Sequence, residues 1–399
     1  MERDELKAWL RLTLSPGIGN VTARKLLTAF GLPQAIFEQP SCALRQVATA
    51  TQTQALRGEP EALTGLLETT WAWLNQSEPN GCRRHIVTLG DPGYPKVLLD
   101  IDDPPLMLYL LGNAHFEDDA PSDPAASWPI EARRCLAVVG SRNPTPQGAR
   151  NARQFAKALV QSGLTVVSGL ALGVDGAAHE GALEALPDGA TGQALTLAVI
   201  GTGLDRVYPR AHHALAHRVA QHGLLLSEYP LGTPPLNANF PKRNRLIAGL
   251  ARGTLVVEAA LQSGSLITAR LTTEQGKDVF AIPGSIHAAQ SRGCHALIKQ
   301  GAKLVESAQD VLEELQGYEA LSAVTAGLAT PGDPPNKNGT DDADHALLQA
   351  IGFDPVGLDA LQGRTQLQTA DLQAQLMTLE INGLVARLPG GLFQRLPGA

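Results

Sequence analysis

Three stretches of this chain hold residue types that grip anions. Gly140-Ser141-Arg142-Asn143-Pro144 ends an apolar run, and a helix start follows near Pro146. Glycine admits close backbone approach, and a hydroxyl, a guanidinium and helix N–H groups together suit a phosphate. A plain strand-to-helix turn with a surface arginine is the competing reading. Next, Asn239-Phe240-Pro241-Lys242-Arg243-Asn244-Arg245 opens a helix whose buried stripe is Leu246, Ile247 and Leu250. Pro241 suits a first helical turn, but Lys242, Arg243 and Arg245 crowd the end where the macrodipole disfavours cations. That placement points to an anionic partner, with Phe240 as a ring on which a base can stack; a solvated basic face is the alternative. Third, Ser263-Gly264-Ser265-Leu266-Ile267-Thr268 places a Ser-Gly-Ser turn before a helix beginning near Ser265, another anion-receptive N-terminus. Capping by the serines explains it equally well in isolation.

Other polar groups are more ambiguous. Glu258, just before the third stretch, can orient a donor or pair with an arginine. Asp175 and His179 lie one turn apart after Gly169-Leu170-Ala171-Leu172-Gly173-Val174. An N-cap aspartate and a packing histidine are the plain reading, a catalytic pair the sharper one. Gly201-Thr202-Gly203-Leu204-Asp205-Arg206 lacks the third glycine of a dinucleotide fingerprint, which would fall at Arg206. At the start of the chain, Ser15-Pro16-Gly17-Ile18-Gly19 joins two helical stretches. Such a hairpin can offer N–H groups to a DNA phosphate or be purely structural.

The elements that must position these residues follow from hydrophobic pattern. Strand candidates are Cys135–Val139, Thr165–Ser168, Leu195–Ile200, Leu224–Ser227, Leu255–Glu258 and Val279–Ile282, separated by helical stretches. Near-continuous apolar strands alternating with helices predict a doubly wound parallel α/β sheet, with ligands at the strands' carboxyl ends. Loops after different strands then open on one edge, and several phosphate cradles along one groove fit a chain of phosphates better than a single nucleotide. The expected organisation is a helical domain over 1–75, a connecting segment with a Pro-rich insertion over 76–131, the α/β domain over 132–316, a flexible linker over 317–343, and a C-terminal unit over 344–399. Within 76–131, the stretch 117–131 reads as a solvated insertion, and the last unit reads as three helices and a hairpin, a winged-helix-like pattern.

The 399 residues carry 32 basic and 39 acidic side chains, for a net charge of −7. Between 220 and 300 that balance reverses, with eight bases against Glu228, Glu258, Glu274 and Asp278. An acidic chain with one basic stretch needs a local explanation. No apolar run approaches the ~18–20 residues that span a bilayer, and the acidic start Met1-Glu2-Arg3-Asp4-Glu5 is unlike a signal peptide. Cys42, Cys82, Cys135 and Cys294 form no CxxC, so neither zinc site nor disulfide framework is indicated. The expectation is a cytoplasmic, reduced protein with no membrane insertion.

Taken together the strings resemble the DNA-processing protein A family, DprA or Smf. They are Val139-Gly140-Ser141-Arg142, the stretch 169–179, Phe240 to Leu250, 263–269, Val279-Phe280-Ala281-Ile282-Pro283-Gly284, and 293–302. The resemblance implies an extended Rossmann-like domain, a sterile-alpha-motif-like or helix-hairpin-helix N-terminal domain and a winged-helix-like C-terminal domain. It implies a single-stranded-DNA-binding protein, not an enzyme and without a cofactor, that protects incoming strands during natural transformation, loads the RecA recombinase onto them and acts as a homodimer. On this resemblance Gly140, Ser141 and Arg142 grip one phosphate, and Lys242, Arg243 and Arg245 track the backbone. Asn244 orders the turn or bonds DNA, and Ser263, Gly264, Ser265 and Thr268 form the second cradle.

Two rival readings remain at this level. LOG-type nucleoside-monophosphate phosphoribohydrolases share a similar fold and carry Pro-Gly-Gly-x-Gly-Thr-x-x-Glu, whose glutamate is catalytic; here Ala269 and Arg270 stand where that acid is needed. A duplex-binding transcription regulator would rely on residues 344–399, where five acids outnumber three arginines, a poor balance for neutralising phosphates.

Overall fold

The computed structural model describes residues 1–76, 81–113, 130–185, 194–315, 342–352, 355–365 and 367–396. The expected insertion at 117–131 and linker at 317–343 fall almost wholly outside them. Six helices open the chain: α1 (Arg3–Leu14), α2 (Asn20–Phe30), α3 (Pro33–Glu38), α4 (Ser41–Leu44), α5 (Ala50–Arg57) and α6 (Leu63–Leu74). Their apolar faces meet around Leu6, Trp9, Leu10, Leu26, Ile36 and Leu63, all buried. Thr49 and Gln52 close a capping box on α5, satisfying two N–H groups that the helix start would otherwise leave unpaired.

The central sheet has nine strands. In chain order they are β1 (Arg83–Thr88), β2 (Met107–Gly112), β3 (Cys135–Val139), β4 (Thr165–Ser168), β5 (Thr196–Val199), β6 (Leu224–Ser227), β7 (Gly253–Val256), β8 (Asp278–Ala281) and β9 (Lys303–Leu304). Between them run α7 (Pro146–Gln161), α8 (Val174–Leu183), α9 (His213–His222), α10 (Asn239–Leu250), α11 (Ser265–Glu274) and α12 (Arg292–Lys299), and α13 (Ala308–Glu314) follows β9. The spatial order is β1-β2-β6-β5-β4-β3-β7-β8-β9. From β3 to β6 the chain winds one way, and from β7 to β9 the other, so the switch point lies between β3 and β7, the place where open α/β sheets bind ligands. Strands β3 to β7 are buried throughout, which is why they read as apolar runs rather than alternating ones.

The structure adds what the pattern missed. Segment 76–131 was expected to be a connector, yet β1 and β2 form an antiparallel hairpin whose second strand pairs antiparallel with β6, from Tyr109↔Ser227 to Gly112↔Leu224. Glycine at 112 is required there, since a Cβ would come within 2.3 Å of the Gly223 carbonyl. Strand β7 starts and stops two residues earlier than expected, leaving Glu258 in the loop beyond it.

The C-terminal unit comprises α14 (Asp342–Ile351), β10 (Val356–Gly357), α15 (Leu358–Thr365), α16 (Thr369–Ile381) and the hairpin β11 (Val385–Leu388) with β12 (Leu392–Arg395). A small sheet ordered β10-β12-β11 closes over Leu347, Leu361, Leu372, Leu376 and Phe393. This is a winged-helix arrangement, with the expected hairpin as its wing. Among the described residues no helix is long and apolar enough to cross a membrane.

Helices α7 and α8 cover one face of the sheet and approach closely at Gly181, where a Cβ would stand 2.1 Å from the Arg153 carbonyl. Gly181→Ala is expected to force them apart and cost about 1–3 kcal/mol, as overpacked cores do. Urea unfolding would measure it, and an unchanged midpoint would show that the helices can slide.

Candidate functional site

Loops leaving β3 and β7 flank the switch point. In the first, Ser141 Oγ accepts the Asn143 N–H at 3.1 Å, while Arg142 is exposed. The Arg142 guanidinium carbon lies 5.6 Å from the centroid of the Phe240 ring. Gly140 leaves no room for a side chain: a Cβ would sit 2.9 Å from the Glu258 carbonyl and 2.8 Å from Val174. In the second loop the Ser263 and Ser265 hydroxyls meet at 2.7 Å, and Asn244 Nδ2 donates to the Gly264 carbonyl at 3.2 Å. Asn244 therefore orders the turn, one of its two expected roles. Ser265 and Thr268 are buried, so the expected second cradle presents Ser263 and Gly264 to the outside and keeps the other two hydroxyl residues inside.

Glu258 ties these loops together. Its carboxylate accepts the Thr145 N–H at 2.9 Å and the Thr145 hydroxyl at 2.6 Å. Thr145 is the N-cap of α7 and also accepts the Gly148 N–H. The carboxylate presses on Gly148, where a Cβ would be 2.3 Å from Glu258 Cδ. Burial raises the carboxyl's pKa, and the two bonds from Thr145 oppose the rise. Of its two expected roles, orienting a donor and pairing with an arginine, the structure shows the first, with the carboxyl group set over the first turn of α7.

The three cations of α10 part company. Lys242 is exposed, but Arg243 and Arg245 are 3% and 9% exposed, which corrects the expectation that all three line the groove. Arg243 Nη1 donates to the Gly169 carbonyl at 2.6 Å and to the Val199 carbonyl, bridging the ends of β4 and β5. Burial pulls its pKa down to about 10, against the pull of Asp175, so it remains a cation at neutral pH. The sequence held a signal for this: Arg243 precedes Leu246, Ile247 and Leu250 by three, four and seven residues, which places it on the same inward stripe. Arg245 forms a two-pronged pair with Glu228, at 3.1 and 2.5 Å, and reaches Asp103 at 3.5 Å. Asp103 in turn accepts from Arg24 at 2.8 Å and Asn20 at 3.1 Å on α2. A continuous polar relay thus runs from the N-terminal helices to α10.

Asp175 and His179 have separate structural duties. The N-cap of α8 is Gly173, not Asp175. The Asp175 carboxylate accepts the N–H groups of Gly169 and Ala171, at 3.1 and 3.3 Å, and braces the β4–α8 loop. Burial raises its pKa, and Arg243 opposes that. His179 is fully buried with Nδ1 at 2.7 Å from the Thr196 hydroxyl, which donates onward to the Val166 carbonyl. Burial lowers the His179 pKa to about 3. Sequence reasoning passed over Thr145 and Asn239, whose Nδ2 donates to the Gly201 carbonyl at 3.0 Å. Thr145 does carry a signal, an N-cap residue directly before a proline at the helix start; Asn239 carries none beyond its polar type.

A family model described as DNA recombination-mediator protein A matches residues 85–316. The chain belongs to that family. The match begins inside β1, so the β1–β2 hairpin is part of the family domain. A second model, described as the DprA winged helix domain, matches residues 331–391. Protein Smf of Synechocystis is 33% identical over 419 residues, covering 99% of this chain and all of the relative. Protein Smf of Escherichia coli is 39% identical over 333 residues, with 82% of this chain and 80% of the relative covered. An X-ray structure of DprA from Streptococcus pneumoniae superposes with a TM-score of 0.60 at 35% identity, over 79% of this chain and 98% of that one. Membership of the DprA/Smf family places the chain among DNA-processing recombination mediators, on a Rossmann-like sheet with a winged-helix domain.

Two consequences concern the buried groups of this DprA-family chain. Arg245→Ala strands the Glu228 carboxylate, whose side chain is 6% exposed, and is expected to cost about 3–5 kcal/mol, whereas replacing both partners with apolar residues recovers much of that loss. Denaturant unfolding of the two variants beside wild type checks it. His179 makes stability pH-dependent: the unfolded chain takes up the proton near pH 6.5 and the folded chain only near 3, so stability falls as pH drops through that window. Going from pH 7 to 5 should cost about 2 kcal/mol through this residue, a slope that His179→Gln should remove in paired melts.

Proposed function

We propose that the groove at the switch point binds single-stranded DNA through its phosphates. The observation that carries this reading is the division of labour among the cations. Arg142 and Lys242 stay exposed beside two glycine- and serine-containing turns, while Arg243 and Arg245 are committed inside, the first to the ends of β4 and β5 and the second to Glu228 and Asp103. Gly140, Ser141 and Arg142 would hold one phosphate, Ser263 and Gly264 a second, with Lys242 along the backbone. None of these groups selects a base edge, which suits sequence-tolerant binding. We extend the reading to protection of incoming strands in the cytoplasm, loading of RecA onto them, and action as a homodimer; family membership supports these.

Binding rather than turnover is also part of the proposal. Ala269 and Arg270 stand where the nucleotide hydrolases of similar fold need a glutamate, and the Glu258 carboxylate already fills the first turn of α7, a natural seat for a nucleotide phosphate.

The deciding experiment titrates a labelled single-stranded oligonucleotide, with matched duplex as competitor, at two salt concentrations. Tight, salt-sensitive and sequence-tolerant preference for the single strand is expected; equal affinity for duplex would overturn the reading. Arg142→Ala should weaken binding for every sequence and flatten the salt slope by about 0.7, the value for one phosphate contact on a single strand. An unchanged slope would remove Arg142 from the phosphate path.

A further inference from the structure

Apolar side chains are exposed in an unusual place. The loops after β4, β5 and β6 follow three neighbouring strands, and each carries one at its outer surface: Leu172, Tyr208 and Leu236, all about half exposed. The exposed cations Arg142 and Lys242 lie on the β3–α7 loop and at the start of α10. Large exposed apolar groups gathered at one edge mark a contact surface, and an apolar strip beside a line of cations is how single strands are held, with phosphates on the charges and bases on the strip.

The aromatic pair within this strip has a definite geometry. The Tyr208 and Phe240 rings stand 5.4 Å apart at 34°. Phe240 is half-buried, backed by Gly201, where a Cβ would come 3.1 Å from its Cδ1, and Arg142 lies near its ring. A base stacked between two rings needs a separation of about 7 Å, twice the ordinary contact distance of about 3.5 Å between carbons. The gap is therefore too small to admit one. Phe240 acts as a backing plate, and the ring left facing solvent is that of Tyr208. Among the described residues no hydrogen bond holds the Tyr208 hydroxyl.

We infer that Tyr208 is the base-stacking residue of this groove, taking one unpaired nucleobase on its exposed face, with Phe240 behind it. This rests on the single-strand reading above. It moves the stacking role expected at Phe240 to a residue on the preceding loop.

The test compares a normal oligonucleotide with an abasic strand of equal length, so that the phosphates are the same and only the bases differ. Wild type is measured first: failure to bind single strands overturns the DNA reading itself and this inference with it. Given binding, Tyr208→Ala should weaken the normal strand about tenfold, within the range for losing one stacked base. It should leave the salt slope and the abasic affinity unchanged. Tyr208→Phe should retain full affinity, and Tyr208→Leu, which keeps bulk without a ring, should behave like alanine. Melting midpoints equal to wild type confirm that the variants fold, and the phenylalanine and leucine pair decides the question if alanine does not. Equal losses on normal and abasic strands, a changed slope, or full affinity in Tyr208→Leu would each overturn the assignment.

Discussion

Beneath the loops of this domain a guanidinium is buried at the carboxyl ends of β4 and β5. Removing a charged group from water costs several kcal/mol, and Arg243 offsets that cost with two backbone carbonyls and the nearby Asp175 carboxylate. The arrangement constrains everything above it. Gly169 must be glycine, because a Cβ there would collide with the guanidinium at 2.2 Å. The β4–α8 loop takes its shape from Asp175, and α10 is anchored at the turn that carries Phe240 and Lys242. The exposed Lys242 projects from the turn that the buried Arg243, one residue away, anchors to β4 and β5.

Two further locks extend this frame. Glu258 binds the N-cap of α7, so the loops after β7 and β3 cannot move apart without exposing a half-buried carboxylate. Arg245 joins Glu228 at the end of β6 to Asp103, and through it to Arg24 and Asn20 of the N-terminal domain. That domain is thus linked through Asp103 to the helix bearing Lys242, a role apart from any contact its own Gly17-Ile18-Gly19 hairpin makes. The proposed site exposes Arg142 and Lys242, and the charges of Arg243, Arg245 and Glu258 are spent on internal contacts.

Much of this was legible from residue order. Strands β3, β4 and β6 lie where the apolar runs placed them, because strands buried on both faces leave an unbroken signal. The terminal hairpin was equally plain, with Gly390 and Gly391 both at positive φ in its turn. Strand β1 was not, and the apolar run of β2 was hidden by the Pro-rich stretch before it. Arg83-Arg84-His85 makes the outer strand half polar, and the prolines between the strands imitate a linker. Only pairing with β6 turns that segment into sheet.

The sequence alone determined the class of fold, the six strands at the centre of its sheet, the family, and which short stretches bear anion-gripping residues, because these depend on local pattern and residue type. Tertiary structure decided which of those residues are free to act. Arg243 lies on the inward stripe of α10 and could have been read as buried. Arg245 lies on the opposite side of that helix and is buried only because the segment around Leu98, Ile101 and Asp103 folds over it. Helical periodicity reports which face meets the sheet; it carries no information about a distant segment that covers the other face.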